Sequence, residues 1–496
     1  MDTRTLKSQI HKTSIKKAKR AKGGKIVSHG KKPRRVEEKI RVRVPTVPLR
    51  HRGEFSPGTS ARHHKGPDRG DDPVVFVTYT PQDRPKDPSI VNIFPPDPCG
   101  DDSEPGVILQ TGNDYVRYSN DRGKTFQILA NTAVINNNFA GGQNGDQIML
   151  FVPSIQCFVW YMQYNANPTT SDGAFRLSFA KLSDLQTKIK GVWNAYDWLS
   201  SDFGLPGTDF DYPGVAATDE FLYVTTGTVS QGRLLMRFKL SDFVAGSVGA
   251  EFLGLLSITT AADKSNDTLR YAHLCQQASD RAMLAGHVDN STLRLFDWPD
   301  SGSLTTHDVS TVTWPNTGDY GSKCPDGTDW LTNGGDSEIS GFVRHGDNLT
   351  LAWCASRGSA GGGAFNFPNP HCRVATMRMS DWTETSETQI WNPDYAFAFP
   401  DVSVNGQGEV GVAVAWGGPS NYADAAFGIM GDFVVWYQDG SDAALSRWGD
   451  YVTVRQSKWR GNAFAGFGYF TKKDSKVGLG VYQEPYYLQF ARKSQT

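Results

Sequence analysis

The sequence predicts an all-β chain folded as a six- or seven-bladed β-propeller, with seven the better division, behind a disordered basic N-terminal tail. Three observations lead there. Past residue 70 the chain reads as short alternating runs (74–79, 158–164, 221–225, 349–353, 410–416) separated by Gly, Asp and Asn, with little helical periodicity. Two internal repeats recur at a spacing of about 60 residues. The residues beyond the tail, 496 less 70, then divide into seven units, each long enough for four strands of about 5–6 residues with their loops.

The tail comes first. Residues 1–70 carry 21 Lys and Arg against 5 Asp and Glu, and the rest of the chain carries 30 against 47. The overall charge of −1 therefore conceals a segment of +16 joined to one of −17. Runs such as Lys16-Lys17-Ala18-Lys19-Arg20 and Lys31-Lys32-Pro33-Arg34-Arg35 stand among almost no aromatic residues, too little apolar surface to offset the entropy of ordering. Residues 1–70 are expected to be disordered and to attract a polyanion, nucleic acid or acidic glycan, by counterion release; a solvated tail without a partner is the other reading. Residues 1–45 lack the apolar run of about 7–15 residues that a signal peptide needs. No stretch approaches the roughly 20 apolar residues of a membrane helix, so no integral membrane segment is expected.

Residues 71–496 are expected to form the propeller, as a monomer. One repeat is a basic-apolar stretch ending in Ser-Asp-aromatic or Leu: Lys181-Leu182-Ser183-Asp184-Leu185, Lys239-Leu240-Ser241-Asp242-Phe243 and Arg378-Met379-Ser380-Asp381-Trp382. A degenerate copy ends at Asp300, and Asp184, Asp242 and Asp300 are each 58 residues apart. The second repeat, aromatic-Pro-x-Val-small, opens a strand at Tyr212-Pro213-Gly214-Val215-Ala216 and again, three periods later, at Phe399-Pro400-Asp401-Val402-Ser403. Further strand entrances are expected at Asp146, Tyr271, Glu338 and Asp450. A lone blade leaves its sheet faces exposed, and stacking blades in a ring buries them.

The six cysteines (Cys99, Cys157, Cys275, Cys324, Cys354, Cys372) contain no CxxC pair, so a structural zinc site is not expected. They are also too sparse for a disulfide scaffold. One or two bridges are compatible with the count, and Cys354 and Cys372, which flank a Gly-rich insertion, are the best candidate pair.

Ser119-Asn120-Asp121-Arg122-Gly123-Lys124-Thr125-Phe126 matches the pattern S-x-D-x-G-x-T-W/F and resembles the Asp-box, or BNR repeat, of the sialidase-like propeller superfamily. The residues suit a hairpin tip: Asp accepts backbone N–H bonds, Gly takes a positive φ, and the aromatic packs into its blade. Gly145-Asp146-Gln147-Ile148-Met149-Leu150-Phe151-Val152-Pro153-Ser154 and Arg447-Trp448-Gly449-Asp450-Tyr451-Val452 resemble bacterial members of that superfamily. The resemblance covers roughly residues 75–492. It implies the fold and a bacterial protein; the compartment stays open, cytoplasmic or reached by non-classical export, as no classical signal peptide is found. Sialidase chemistry is not expected. The nearest match to the family's F-R-I-P motif, Phe175-Arg176-Leu177-Ser178, follows the box instead of preceding it and ends in Ser, and Arg176, Arg237, Arg294 and Arg373 recur with the blade period as surface residues would.

In a propeller the innermost strands begin at the mouth of the central channel. The acidic residues expected there are Asp146, Asp209, Asp211, Asp336, Glu338, Asp401 and Asp450. Two carboxylates across a glycosidic bond suffice for hydrolysis, so Asp146, Asp211, Glu338 and Asp450 are the candidate catalytic residues of a glycosidase or polysaccharide lyase. Such a cluster would raise its own pKa values, or hold Ca²⁺; each residue could instead cap a loop. Trp193, Trp198 and Trp330, in polar loops, are candidates for stacking on a sugar, with His273 and Arg447 as further ligand-binding residues. No G-x-S-x-G motif, phosphate loop or dinucleotide fingerprint is present in strand–helix context, which leaves serine-hydrolase and nucleotide chemistry without support. The expected function is carbohydrate recognition or processing; the alternative is a non-catalytic propeller that binds a glycan or protein, held to a polyanion by its tail.

Overall fold

The alternating runs become strands because their Val, Ile, Phe, Tyr and Trp residues fit a pleated surface buried on both faces. The computed structural model describes residues 74–81 and 96–496, apart from 229–230, 247, 261–265, 333–335, 361–364, 433, 438–439 and 475–479. Within residues 1–70 it describes only His11–Lys12 and Arg43–Leu49, so the expected disorder of the tail falls outside the described residues.

The strands form a seven-bladed β-propeller of antiparallel meanders. Blade 1 is Cys99–Asp102, Ile108–Thr111, Tyr115–Ser119 and Gln127–Ala130. Blade 2 is Gln143–Val152, Cys157–Tyr164, Ala174–Lys181 and Asn194–Leu199. Blade 3 is Phe210–Ala217, Phe221–Thr228, Gly232–Lys239 and Ala250–Leu256. In blade 4 an irregular inner segment, held by the Cys275 N–H donating to Met283 O at 2.9 Å, precedes Arg281–Asp289, Thr292–Pro299 and Thr305–Ser310. Blade 5 is Ile339–His345, Asn348–Ala355, His371–Arg378 and Thr383–Ile390. Blade 6 is Ala396–Val404, Val410–Gly418, Asn421–Ile429 and Val434–Tyr437. Blade 7 takes Thr453–Gln456, Phe464–Asp474 and Gly480–Arg492 from the C-terminal end of the chain and its outermost strand, Val74–Pro81, from the other end. Val74 pairs with Arg492 and Phe76 with Phe490, so strands from the two ends of the chain close the ring within blade 7.

The core is divided among the seven interfaces. Leu109, Met149 and Trp160 pack between blades 1 and 2; Val159, Leu177 and Val224 between 2 and 3; Tyr223, Leu284 and Trp298 between 3 and 4. Further round lie Trp314 and Trp353, then Val374 and Val414, then Phe427 and Phe464. Ile108 against Phe467 and Tyr487 completes the circle.

Both repeats have a structural meaning. Ser-Asp follows the third strands of blades 2, 3 and 5, and in blades 2 and 3 it lies within the short helices Leu182–Leu185 and Leu240–Ala245. The aromatic-Pro entrances open blades 3 and 6, and Asp146, Tyr271, Glu338 and Asp450 lie at or just before the inner strands or segments of blades 2, 4, 5 and 7. The periodic arginines are third-strand residues paired with an acid on the fourth: Arg176 with Asp197, Arg237 with Glu251, Arg294 with Asp308 and Arg373 with Glu387. Except for Arg294 they are buried, which corrects the expectation of surface residues.

The turn at Ser119–Phe126 has the anticipated hydrogen bonds. Thr125 donates from its N–H (3.0 Å) and its hydroxyl (2.6 Å) to Asp121, Gly123 N–H donates to Ser119 Oγ (3.0 Å), and Gly123 has φ of 75°. Phe126 packs on Tyr487 of blade 7. The expected disulfide is absent. Cys354 and Cys372 stand opposite each other in register, yet both are free, and Cys354 turns its Sγ toward Phe397 O at 3.5 Å.

Candidate active site

The inner strands share a defect at the end nearest the channel mouth. Their register slips between Gln143 and Gln147 in blade 2, Asp211 and Gly214 in blade 3, Ile339 and Gly341 in blade 5, and Ala398 and Asp401 in blade 6. A bulge re-aims the side chain beside it, and here the bulge recurs from blade to blade. Tyr212 and Phe399, the aromatics of the second repeat, both take a left-handed φ of 51°, and Asp97, before the first strand of blade 1, one of 41°. Non-glycine residues adopt this region at a cost of about 1 kcal/mol that the surrounding packing must offset.

The bulges gather polar groups around the axis. A narrow cavity of about 20 Å³, room for one water molecule, is lined by Tyr212, Tyr271, His273, Asp336, Glu338 and Asp450, among others. Asp146 and Asp211 belong to the same group: Asp97, Asp211 and Asp450 all act electrostatically on Asp146, and Asp450 acts on Asp211. Of the four expected carboxylates, Glu338 and Asp450 line this cavity, and Asp146 and Asp211 lie within electrostatic reach of Asp450. Asp336 joins them, while Asp401 does not: its carboxylate accepts from Val402 N–H, Val454 N–H and Arg455, between blades 6 and 7. Asp209 is exposed and accepts from the following N–H.

Arg447 organises one side of the mouth. Its Nε donates to Asp450 Oδ1 at 3.0 Å, and Nη2 bridges Asp450 Oδ2 and Tyr212 Oη. Asp450 N–H donates to Asp97 Oδ1 at 2.7 Å, and Asn113 Nδ2 donates to Asp97 Oδ2 at 3.2 Å. On the other side Glu338 N–H donates to Asp336 Oδ1 at 3.4 Å, and Glu338 Oε2 is buried without a hydrogen-bond partner.

Burial sets the protonation of these groups, with like charge second. Burial and then the charge of Asp336 push Glu338 well above the usual carboxylate range. Burial followed by Asp97, Asp211 and Asp450 does the same to Asp146, and burial followed by Asp450 to Asp97. Asp211 and Asp336 shift the same way, also chiefly through burial. His273 falls to about 3, because burial and then Arg233 and Arg455 disfavour its charge, so the imidazole facing the cavity is neutral. Its ring meets Tyr451 edge-on at 5.6 Å.

The tryptophan expectations are corrected. Trp193 Nε1 donates to Ile189 O (2.8 Å) and its ring packs edge-on against Trp160; Trp198 packs on Phe203 and on Phe238 of the next blade; Trp330 Nε1 donates to Ser322 Oγ (3.0 Å) and its ring meets Trp448. All three are buried. Their polar neighbours in sequence belong to turns around blade interfaces. The aromatic faces at the mouth are Tyr212 and Tyr271, with ring centroids 4.0 Å apart. Sequence reasoning missed Asp97, although its setting, Pro95-Pro96-Asp97-Pro98, lies one blade before Asp146.

Among the described residues no group of three His, Cys, Asp or Glu is arranged to hold a metal ion. In the Asp- and Gly-rich stretch 319–329, Asp329 Oδ1 accepts from the N–H groups of Ser322, Leu331 and Thr332.

No protein-family model and no curated protein matches the sequence. Solved structures similar in fold include the GH93 α-L-arabinofuranosidase of Fusarium graminearum in complex with arabinobiose (11% identity, TM-score 0.38, 84% of this chain and 97% of that one). Others are AofleA of Arthrobotrys oligospora (11%, 0.36, 68% and 81%) and the Trypanosoma rangeli sialidase (8%, 0.35, 73% and 55%). At these identities the chemistry has to be argued from this chain's own residues.

Proposed function

We propose that the protein is a carbohydrate-processing propeller, a glycoside hydrolase acting at the channel mouth. The observation that carries this reading is the contrast between two carboxyl groups lining one cavity: Glu338, kept protonated by burial and Asp336, and Asp450, in an ion pair with Arg447. Burial favours the protonated form of Glu338, which can give up that proton, and Asp450, fixed by Arg447, is placed to receive one. Glu338 donates its proton to the glycosidic oxygen as the bond to the anomeric carbon breaks. Asp450 accepts a proton from the water that attacks that carbon. Tyr212 and Tyr271 offer faces to the sugar ring. The tail, at +16, attaches the ring to a polyanion.

Reducing-end release from a panel of polysaccharides and aryl glycosides tests the reading. Glu338→Gln and Asp450→Asn are each expected to lower kcat by roughly 100-fold or more while the Kd for the cleaved glycan moves only a few-fold. Should the wild-type chain release nothing from any glycan it binds, the hydrolase is excluded and a lectin remains. For the tail, retention on heparin across a salt gradient should be stronger for the full chain than for residues 71–496; equal elution removes the polyanion.

A further inference from the structure

Resting on the polyanion reading above, we propose that the face opposite the channel mouth carries a binding site for a sulfated glycan, built by Arg122, Lys124, Lys458 and Arg460 around Trp459 where blades 7 and 1 meet. Strand register places the site. Gln456, Phe464, Phe490 and Phe76 form one row across blade 7, so the hairpin 457–463 and the pair Val74 and Arg492 lie beyond the same end of the blade. That end is away from Asp450, which precedes the inner strand. Asp102, at the end of the first strand of blade 1, accepts from Ser457 Oγ at 2.7 Å and from the Lys458 N–H at 2.5 Å. It shares the row Asp102, Ile108 and Ser119 with the turn that begins at Ser119, so hairpin and turn stand side by side.

Two guanidinium groups converge there on one indole: Arg460 lies 4.6 Å and Arg122 5.6 Å from the centre of a Trp459 ring. Stacking holds a guanidinium in place while its in-plane N–H groups stay free to fork onto an oxyanion. Arg122 gives one of these, from Nε, to Pro105 O at 3.2 Å. Lys124 is exposed in the same turn, and Lys458 lies within electrostatic reach of the buried Asp101 and Asp102. None of the four cations is in an ion pair among the described residues. Other surface arginines are matched: Arg294 with Asp308, Arg344 with Asp280, Arg357 with Asp319 and Arg378 with Asp381. Within a segment of net −17, a cluster of cations left without ion pairs is a spot prepared for an anion that arrives from outside. The tail of +16 joins the ring at Val74, at this same end, so tail and patch can hold one polyanion.

The chemistry of the patch favours a glycan over nucleic acid. Single strands bind through open aromatic faces, and here guanidinium groups already stack on the indole. Duplex DNA is entered by a helix or a strand ribbon at a groove, and these cations stand on two tight turns. A sulfated chain moored on this face leaves the mouth open for the glycan being cleaved.

Fluorescence anisotropy of the full chain, from about 50 to 200 mM salt, tests this with a labelled heparin oligosaccharide, its desulfated counterpart and a short DNA duplex. The wild type is expected to bind the sulfated form about tenfold or more tightly than either of the others. Arg122→Ala combined with Arg460→Ala should weaken that binding about tenfold and lower the slope of log K against log salt by about 2. Lys124→Gln combined with Lys458→Gln, a second pair in case the first misfolds, should act in the same direction. Arg294→Ala combined with Arg378→Ala removes the same charge elsewhere and should leave the affinity within about twofold. Patch variants that bind as the wild type does, or a control pair that loses as much, overturn the site and leave the polyanion to the tail. Equal affinity for the desulfated form also overturns it, and a duplex held as tightly as heparin does so in favour of nucleic acid. The readout needs no turnover, so a chain that cleaves no glycan sinks the hydrolase and leaves this site standing. If the full chain holds neither heparin nor DNA, the polyanion reading falls and takes the inference with it.

Discussion

Asp146 shows at the scale of one residue how a site is kept at the expense of stability. Its folded pKa lies above the unfolded value of about 4, so the folded chain retains a proton there that the unfolded chain releases. The favourable contribution is fully present below about pH 4 and is lost as pH rises through the folded pKa. Asp146→Asn removes a charge that the fold resists and keeps the shape of the side chain. The variant should therefore be more stable than the wild type at pH 8, by about 1–2 kcal/mol, with the advantage shrinking toward pH 5. Thermal melts at the two pH values check this; an advantage that grew on acidification would contradict the assigned direction.

At the scale of the element, the third-strand arginines separate a structural ion pair from a decorative one. Arg373 and Glu387 are both buried, so Arg373→Ala leaves a carboxylate stranded in the blade and should cost about 3–5 kcal/mol. Arg294 and Asp308 are each a third or more exposed, and Arg294→Ala should cost about 0–1 kcal/mol. Urea denaturation of both variants measures the contrast. Equal losses would mean that the pairs do the same work despite their burial. Sequence spacing revealed the recurrence of these arginines but not their acids: three acids follow their arginine by 14 residues and Asp197 follows Arg176 by 21, and only strand register shows that they meet.

For the whole molecule, closure of the ring is the controlling event. Val74 and Phe76 are buried in blade 7, where their strand covers the strand Gly480–Arg492. A chain beginning at residue 71 should melt within a few degrees of the full chain, whereas one beginning at residue 96 loses that strand and should melt at least about 10 °C lower or aggregate. Circular dichroism and size-exclusion chromatography distinguish the outcomes. The ring also sets the response to pH. Between pH 8 and about 6.5 the raised carboxyl groups, including Asp102 at about 7, dominate, and stability should rise on acidification. Below about 6.5 the unfolded chain protonates histidines that the fold keeps neutral, His273 and His287 at about 3 and His371 also lowered, so the gain should slow.

By itself the sequence determined the repeated unit, its length, the strand entrances and the class of residue placed at them, because alternation, turn chemistry and a 58-residue period are local properties written along the chain. Tertiary structure decided which of those residues meet. Trp330 reads like a ligand contact and is core, and Asp97 reads like a turn and stands beside Asp450, since position around a closed ring depends on bulges and on the pairing of the first strand with the last. Those pairings join residues hundreds of positions apart, and no local pattern encodes them.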